Sequence, residues 1–353
     1  MRDSQDEDMT STLRLRDRAS RIAELVATPL VPSDFVDLLD PLRNGTDLRA
    51  RIVAITPETA DAATLTLKPG RGWQGHTPGQ YVRIGVDIDG VRQWRAYSVT
   101  SFTSSTLTIT VKAIPDGVVS NHLVRRARTG TVVQLDQAAG EFVLPTERPA
   151  KALFITAGSG ITPVMGMMRS TQLQDVVWVH SAPTAEDVIF AAELRAMPGV
   201  RLVEKHTDTD GMLSTEELLA LVPDLTEREA WACGPTGMLD ALEGWWPEGS
   251  TLHTERFRPS VLVTGDGGAV TFARTGTTVE ADGTTPLLDA GEAAGVLMPS
   301  GCRMGICFGC VLPLREGAVR DLRTGAITTA APGDGVLIQT CISAAAGTCD
   351  LDV

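Results

Sequence analysis

The sequence predicts a multidomain protein in which an antiparallel β-barrel is followed by a parallel α/β sheet and a small cysteine-bearing β domain. Three features of the 353-residue chain predict this order: short strands of alternating hydrophobicity over 46–147, strands alternating with helices over 148–258, and three cysteines within nine residues of the segment 269–353. A chain of this length has room for about two to three domains.

The composition excludes several classes of protein. Apolar residues make up 43% of the chain, yet no run approaches the ~18 uninterrupted apolar residues of a membrane span. The net charge of −13 disfavours nucleic acid and anionic membranes as partners and tolerates a basic protein partner. Because the first residues, Met1–Asp8, are acidic and lack the apolar core of a signal peptide, we expect a cytoplasmic protein. We also expect a monomer.

The N-terminal segment, residues 1–45, is polar at first and then helical in pattern. Ile22, Leu25 and Val26 share one face, and Ser33 or Asp34 can cap a second helix. Such an N-terminal helical extension is either an arm packed on the body of the protein or a docking element for a partner.

Residues 46–147 show a period of two, which is the side-chain period of a β-strand. Clusters of Gly, Pro, Asp and Ser separate the segments, and five or six antiparallel strands at this spacing predict a small barrel. The predicted strands are 51–55, 63–67, 81–84, 107–111 and 131–135, and the run Arg95–Ser101 also lies on a strand.

Residues 148–258 alternate strands with helices, which predicts a parallel sheet with helices on both faces. The first strand runs into the glycine turn Ala157–Pro163, and a helix is expected from about Val164. The predicted strands are 152–156, 176–180, 201–204 and 229–233, and the other predicted helices are 186–197, 214–221 and 236–245.

The C-terminal part begins with a flexible linker over 259–268, which contains Gly265-Asp266-Gly267-Gly268. The rest, 269–353, combines elements that are typical of a β-grasp ferredoxin. These are a hairpin of 269–274 and 277–281, a short helix over 287–294, the cysteine loop, and a closing strand over 335–341.

Four cysteines in this part have the spacing of a plant-type [2Fe-2S] ferredoxin. Cys302, Cys307 and Cys310 form a CxxxxCxxC pattern, and Cys341 follows at a distance. Structural zinc sites favour CxxC pairs, so the spacing fits zinc poorly. A disulfide framework is disfavoured, since six cysteines in a chain without a secretory leader suggest a reducing compartment. We expect these four cysteines to hold the cluster and Cys349 to be a structural or free thiol.

Two runs in the barrel indicate a flavin site. Arg95, Tyr97 and Ser98 offer a cation for a phosphate, an aromatic surface and a hydroxyl. The backbone N–H groups of Val118, Val119 and Ser120, at the start of a predicted helix, would hold a diphosphate. The alternative for the second run is a loop in which Ser120 is an ordinary N-cap.

The order of the motifs resembles the ferredoxin–NADP reductase superfamily. The motifs are Arg-x-Tyr-Ser, Gly-Val-Val-Ser-Asn, Gly-Ser-Gly-Ile-Thr-Pro, Cys-Gly-Pro and the cysteine loop, and the likeness covers roughly 46–353. More narrowly, the chain resembles oxygenase and desaturase reductases with a C-terminal ferredoxin module, and most of all the actinobacterial reductases that serve acyl desaturases. The resemblance implies FAD rather than FMN in the barrel and NAD(P)H on the parallel sheet.

The resemblance also implies roles for individual residues. Ser98 and Cys233 would flank the hydride path, Glu255 would lie close to the flavin ring and Phe257 would cover it. These three polar residues, Ser98, Cys233 and Glu255, are the expected catalytic residues. The expected nicotinamide contacts are Gly158, Gly160, Thr162, Pro163, Ser181, Gly234, Pro235 and Met238.

The preference between NADH and NADPH is left open by the sequence. NADPH-preferring relatives place an arginine just after the second strand of the sheet, where this chain has His180-Ser181-Ala182-Pro183-Thr184. Ser181 and Thr184 can bond a phosphate, but no cation is adjacent in sequence. The likeness to the acyl desaturase reductases favours NADPH, and the missing arginine favours NADH.

The resemblance and the motifs together predict an NAD(P)H:acceptor oxidoreductase. A separate protein would accept its electrons: a membrane di-iron desaturase or hydroxylase, a Rieske oxygenase or a cytochrome P450. Two alternatives remain, a redox sensor in which the cluster gates binding to a regulator, and a stand-alone diaphorase in which the cluster is structural.

Overall fold

A computed structural model describes residues 42–43, 47–115, 117–257, 266–305 and 307–353, and three β-sheets follow one another along this part of the chain. The predicted helical extension over 1–45 lies outside the described residues except for 42 and 43, and most of the predicted linker does too. Within the described residues no helix is long and apolar enough to cross a bilayer.

The first sheet is a closed barrel of six antiparallel strands in the order β1-β2-β5-β4-β3-β6, as predicted. Alternate side chains point inward, and Ile52, Leu65, Ile84 and Ile109 are fully buried in its centre. Helix α1 packs on the barrel through Val119 and Leu123. The elements are β1 Arg49–Pro57, β2 Ala62–Pro69, β3 Tyr81–Ile88, β4 Val91–Phe102, β5 Leu107–Lys112, α1 Val118–Arg125 and β6 Val132–Leu135.

The second sheet has five parallel strands in the order β11-β10-β7-β8-β9. Helices cover both faces, as predicted: Phe154 and Trp178 pack under α2, and Ile155 and Val179 face α5 and α6. The elements are β7 Lys151–Ala157, α2 Ile161–Ser170, β8 Asp175–Ala182, α3 Ala191–Arg195, β9 Val200–His206, α4 Thr207–Asp210, α5 Thr215–Leu221, β10 Glu229–Cys233, α6 Thr236–Trp245 and β11 Leu252–Glu255.

Three details of this sheet differ from the prediction. The helix predicted over 186–197 is wrong: a 3-10 turn spans Ala185–Asp187, where the Thr184 and Asp187 side chains form a capping box, and only α3 is helical. The break lies at Phe190, whose φ of 61° is left-handed. Helix α2 begins at Ile161 rather than near Val164, and the edge strand β11 is a fifth strand that its polar sequence did not indicate.

The third sheet is mixed, with the order β13-β12-β17-β14-β15 and β16 paired to β14. The strand predicted over 335–341 is confirmed, but it does not close the sheet. That segment holds only the short β16, and the C-terminal strand β17 lies in the middle of the sheet, parallel to β12 and antiparallel to β14. The elements are β12 Gly268–Phe272, β13 Thr277–Ala281, α7 Leu287–Ala293, β14 Val311–Asp321, β15 Ile327–Ala330, β16 Val336–Gln339 and β17 Ser343–Leu351.

Helix α2 of the parallel sheet lies directly against barrel strand β4. A Cβ built on Gly166 would lie 2.3 Å from the backbone oxygen of Val99, so only glycine permits this approach. Arg169, three residues on, donates to the backbone oxygen of Thr100 at 3.2 Å. The contact fixes the strand that carries Arg95–Ser98 relative to the glycine turn that precedes α2.

Candidate active site

One cavity of about 1690 Å³ lies where the three modules meet. All three contribute to its walls, so the motifs that are far apart in sequence share one space. The site residues on its lining are Arg95, Tyr97, Ser98, Val118, Val119, Ser120, Thr162, Glu255, Phe257, Cys302 and Cys341.

Strand β4 presents the aromatic and hydroxyl groups of the predicted flavin site. Ser98 is 2% exposed, and its Oγ has no hydrogen-bond partner among the described residues. A buried hydroxyl without a partner is costly, which fits a ligand that supplies the missing hydrogen bond. Burial lowers the pKa of Arg95 to about 10, and the neighbouring Arg303 cation adds to the shift. An anionic group between these two guanidinium groups would relieve their repulsion.

The N-terminus of helix α1 opens onto the same cavity. Gly117 occupies the N-cap position, so the alternative of Ser120 as N-cap is wrong. No side chain of the described residues caps this end; Ser120 Oγ instead donates to the backbone oxygen of Gly117 at 3.2 Å. The first N–H groups of the helix, those of Val118 and Val119 included, therefore suit a phosphate.

The carboxyl ends of three neighbouring strands carry Thr156, Cys233 and Glu255 in one register. Cys233 is fully buried, and burial raises the pKa of its thiol. Burial also raises the pKa of Glu255 to about 8, and its Oε2 lacks a hydrogen-bond partner within the described part of the chain. The carboxyl group therefore keeps its proton to a higher pH than an ordinary glutamate does, next to the cavity.

Two glycine turns meet beside these strand ends. A Cβ built on Gly160 would lie 2.0 Å from the backbone oxygen of Cys233, and one on Gly234 would lie 2.6 Å from Met238 Cε. Gly158 has a left-handed φ of 53°, and Thr162 Oγ1 donates to the backbone oxygen of Ser159 at 2.9 Å.

The remaining predicted nicotinamide residues lie around these turns. Pro163 is buried in the first turn of α2, and Pro235 is the N-cap residue of α6. Ser181 lies on the next strand, in register with Ala157. The structure thus brings the predicted nicotinamide residues to one edge of the sheet.

The cysteine loop directs backbone N–H groups at its own sulfurs. The N–H of Cys302 donates to Cys307 Sγ at 3.1 Å, and the N–H of Gly309 donates to the same sulfur at 3.4 Å. Hydrogen bonding from Cys302 lowers the pKa of the Cys307 thiol. Ile306 lies outside the described residues. Such donors stabilise thiolates, and they also tune a cluster that the sulfurs bind.

Hydrogen bonds connect the four cysteines in two pairs. Cys302 contacts Cys307, and Cys310 contacts Cys341 through its sulfur. Thr340, which precedes Cys341, stabilises the second pair, because its hydroxyl donates to the backbone oxygen of Cys310 at 2.9 Å. No group of three or more His, Cys, Asp or Glu among the described residues is placed to hold a single metal ion. Two pairs are what a cluster with two irons requires.

Sequence reasoning missed a site role for Tyr81, the first of the two tyrosines in the chain. Tyr81 lies opposite Ser98 in the β3–β4 ladder and lines the cavity. Burial raises its pKa to about 12, and the nearby Cys302 and Glu255 add to the shift. A signal was present: Asp89-Gly90, both with positive φ, is a two-residue hairpin turn that fixes this register.

Comparison with known families agrees with the three modules. Residues 50–144 match the oxidoreductase FAD-binding domain, 154–243 match the oxidoreductase NAD-binding domain and 270–346 match the 2Fe-2S iron-sulfur cluster binding domain. The fold and the site therefore define an oxidoreductase that uses FAD, a nicotinamide dinucleotide and a [2Fe-2S] cluster.

Similar proteins identify the type of oxidoreductase. The chain is 48% identical to the NADPH oxidoreductase of Mycobacterium tuberculosis, across 94% of this chain and 91% of that protein. It is 29% identical to the glycine betaine monooxygenase reductase subunit of Pseudomonas aeruginosa, across 84% and 93%. The structure of phthalate dioxygenase reductase has the same fold, with a TM-score of 0.59 and 22% identity over 86% of this chain and 97% of that one. The chain belongs to the NAD(P)H-dependent FAD and [2Fe-2S] reductases of the oxygenase-reductase type.

Proposed function

We propose that this protein takes electrons in pairs from NAD(P)H and delivers them singly to a separate acceptor protein, an oxygenase or a fatty-acyl desaturase. One observation carries the proposal: the strand Arg95–Ser98, the carboxyl of Glu255 and the cysteines Cys302 and Cys341 line the same cavity. Bound FAD would supply the conversion from paired to single electrons that a nicotinamide alone does not supply.

The barrel residues would bind and orient the flavin. Tyr97 would pack on the ring system, and the unpartnered Ser98 Oγ would hydrogen-bond to its polar edge. Arg95 and the N–H groups of Val118 and Val119 would hold the phosphates at the positive end of α1. Phe257, 37% exposed at the mouth of the cavity, would cover the ring until the nicotinamide displaces it.

The parallel sheet would position the donor. The turn Gly158–Pro163 and the turn at Gly234 would accept the pyrophosphate, since both bring backbone close to a helix N-terminus. Pro235 and Met238 would support the nicotinamide ring, and Ser181 would bond the adenosine end. Cys233 and Ser98 would exclude water from the path between the two rings. The name of the 48% identical relative supports NADPH as the donor.

The cluster would be held by the four cysteines Cys302, Cys307, Cys310 and Cys341, which the contacts Cys302–Cys307 and Cys310–Cys341 connect. Aerobic purification should yield a coloured protein with one FAD, about two irons and about two sulfides per chain. A colourless protein that takes up neither flavin nor iron and sulfide on anaerobic reconstitution would overturn the proposed function.

Glu255 should give electron uptake a pH dependence. Its pKa of about 8 means that the carboxyl is neutral below this pH and becomes charged above it. A carboxylate beside the hydride acceptor opposes the arrival of negative charge, so flavin reduction should slow as the pH rises through about 8. The variant Glu255→Gln should keep a flat rate across this range in anaerobic stopped-flow measurements.

The same substitution should also change how the stability of the protein depends on pH. The folded chain holds the Glu255 proton more tightly than the unfolded chain does, so wild-type stability falls between the ordinary glutamate pKa and about 8. Glu255→Gln should therefore melt higher than the wild type above pH 8. Glu248→Gln, at an exposed carboxyl of the same module, serves as control. An unchanged pH profile in Glu255→Gln would contradict the role of this carboxyl.

Acceptor reduction should depend on ionic strength. Residues 269–353 contain nine carboxylates and five arginines, a net charge of −4, which suits a basic docking face on the acceptor. The name of the glycine betaine monooxygenase reductase subunit supports a separate oxygenase as acceptor. The apparent KM for a basic acceptor such as cytochrome c should rise several-fold between ~0.1 M and ~1 M salt, where the Debye length falls from about 10 Å to about 3 Å. A KM that does not change with salt would contradict electrostatic docking.

A further inference from the structure

A barrel arginine reaches across to the cysteine loop of the third module. Arg83 lies in β3, two residues after Tyr81. A Cβ built on Gly301 would lie 3.3 Å from Arg83 Nη1, and one built on Gly309 would lie 3.5 Å from the same nitrogen. These two glycines flank Cys307, whose sulfur lies within 3.4 Å of either built Cβ. The guanidinium group therefore covers the loop at the point where Cys307 is held.

The barrel fixes this arginine on its other sides. Asp136 forms an ion pair with the guanidinium group, and the ring of Trp94 lies 5.6 Å from its carbon. Trp94 can lie there because residue 85 is glycine; a Cβ at that position would be 2.9 Å from the indole. Arg83 is thus held in one orientation, directed at the cysteine loop.

The other arginines near the loop are differently engaged. Arg303 is paired with Asp289 and Glu292 on α7, within the third module. Arg323 is paired with Asp321 and donates to the backbone oxygen of Gly305 at 3.5 Å, also within that module. The charge of Arg83 therefore comes from the flavin module, and its Nη1 lies beside Gly301 and Gly309 of the cysteine loop.

We propose that Arg83 is a positioning residue for electron transfer: it seats the cysteine loop on the barrel and stabilises the reduced cluster held by Cys307 and its partners. Positive charge near a cluster favours the state with one more electron and so raises the reduction potential. The planar guanidinium group also suits a contact with exposed backbone between two glycines. This inference rests on the proposed function, because it assumes that the cysteines hold a [2Fe-2S] cluster.

The test compares the cluster midpoint potential of the holoprotein, measured by EPR after equilibration with redox mediators, in the wild type and in Arg83→Gln. We expect the potential to fall by an amount equivalent to about a tenfold weaker electron affinity, which is about 59 mV for one electron. Arg83→Lys, which keeps the charge, should retain most of the wild-type potential. Small-angle scattering should show a larger radius of gyration for Arg83→Gln, because the substitution removes the contact of this guanidinium group with the cysteine loop.

The control is Arg92→Gln on the same hairpin. Arg92 forms a matched ion pair with Asp87 at 2.8 Å, and the groups that raise its pKa are Asp87 and Asp47 rather than any residue of the third module. Its replacement should leave the cluster potential unchanged. An unchanged potential in Arg83→Gln, or an equal fall in Arg92→Gln, would overturn the inference.

A double variant keeps the test possible if Arg83→Gln does not fold. In Arg83→Gln the carboxylate of Asp136 loses its partner, so the double variant Arg83→Gln/Asp136→Asn removes the pair together. If Arg83→Gln does not accumulate, a lowered potential in the double variant supports the inference, and a wild-type potential overturns it. A protein without any cluster refutes the proposed function. A cluster whose midpoint potential does not change when Arg83 is replaced refutes this inference alone.

Discussion

Replacing Cys310 by serine should abolish electron delivery to cytochrome c or to the partner protein and leave ferricyanide reduction by the flavin close to the wild-type rate. Cys310 is 1% exposed and contacts Cys341, so the substitution removes one ligand from the second pair of cysteines. The flavin site lies on the other modules and retains its residues. Anaerobic steady-state assays with cytochrome c and with ferricyanide measure the two rates separately.

Cys349→Ala is the matched control, since Cys349 is a buried thiol in the same hydrophobic core as Cys310 and lies outside the four-cysteine set. The Cys349→Ala variant should reduce both cytochrome c and ferricyanide at close to the wild-type rate. The two alternative functions predict other outcomes for Cys310→Ser. A diaphorase with a structural cluster would keep cytochrome c reduction in any variant that folds, and a redox sensor would show slow turnover with every acceptor even in the wild type. Either result would contradict electron relay through the cluster.

Replacing Gly160 by alanine should lower the thermal midpoint and raise the KM for NAD(P)H together. The added Cβ would stand 2.0 Å from the backbone oxygen of Cys233 and 2.9 Å from the backbone nitrogen of Gly234. Backbone cannot rotate away as a side chain does, so the two turns must separate, at a cost of about 3 kcal/mol. The same movement displaces the N-terminus of α2, where we propose that the pyrophosphate binds.

Gly237→Ala provides the control for Gly160→Ala. Gly237 lies in helix α6 of the same module, and a Cβ built on it meets no atom within 4 Å. Alanine there should stabilise the protein by a few tenths to about 1 kcal/mol, because the unfolded chain loses conformational freedom. The KM of Gly237→Ala for NAD(P)H should not change. Equal thermal midpoints and equal KM values for the two variants would contradict the close packing of the glycine turns.

The local motifs could be predicted from sequence because their chemistry lies in adjacent residues. The spacing of Cys302, Cys307 and Cys310, the run Arg95–Ser98 and the glycine turn before α2 each predicted a site. Cys302, Arg95–Ser98 and Thr162 of these motifs line one cavity. The alternating barrel strands were equally clear. In these places the residues that carry the signal are close neighbours in the chain.

The elements that were missed depend on contacts between distant residues. The central strand β17, Ser343–Leu351, consists largely of small residues, so its hydrophobic pattern is weak, and its position follows from pairing with β12 and β14. Strand β11 is short and polar and adds to the sheet only through its neighbour β10. Arg83 looks like an ordinary outward residue of a barrel strand until the third module is placed against it.

The most direct test of the account is EPR of the holoprotein, frozen after anaerobic addition of NADPH, with NADH in a parallel sample. If the flavin site and the four cysteines form one electron path, the spectrum should gain the signal of a reduced [2Fe-2S] cluster while the flavin absorbance bleaches. In Cys310→Ser the flavin absorbance should bleach without that signal. A wild-type flavin that bleaches fully while its intact cluster stays oxidised would contradict the account.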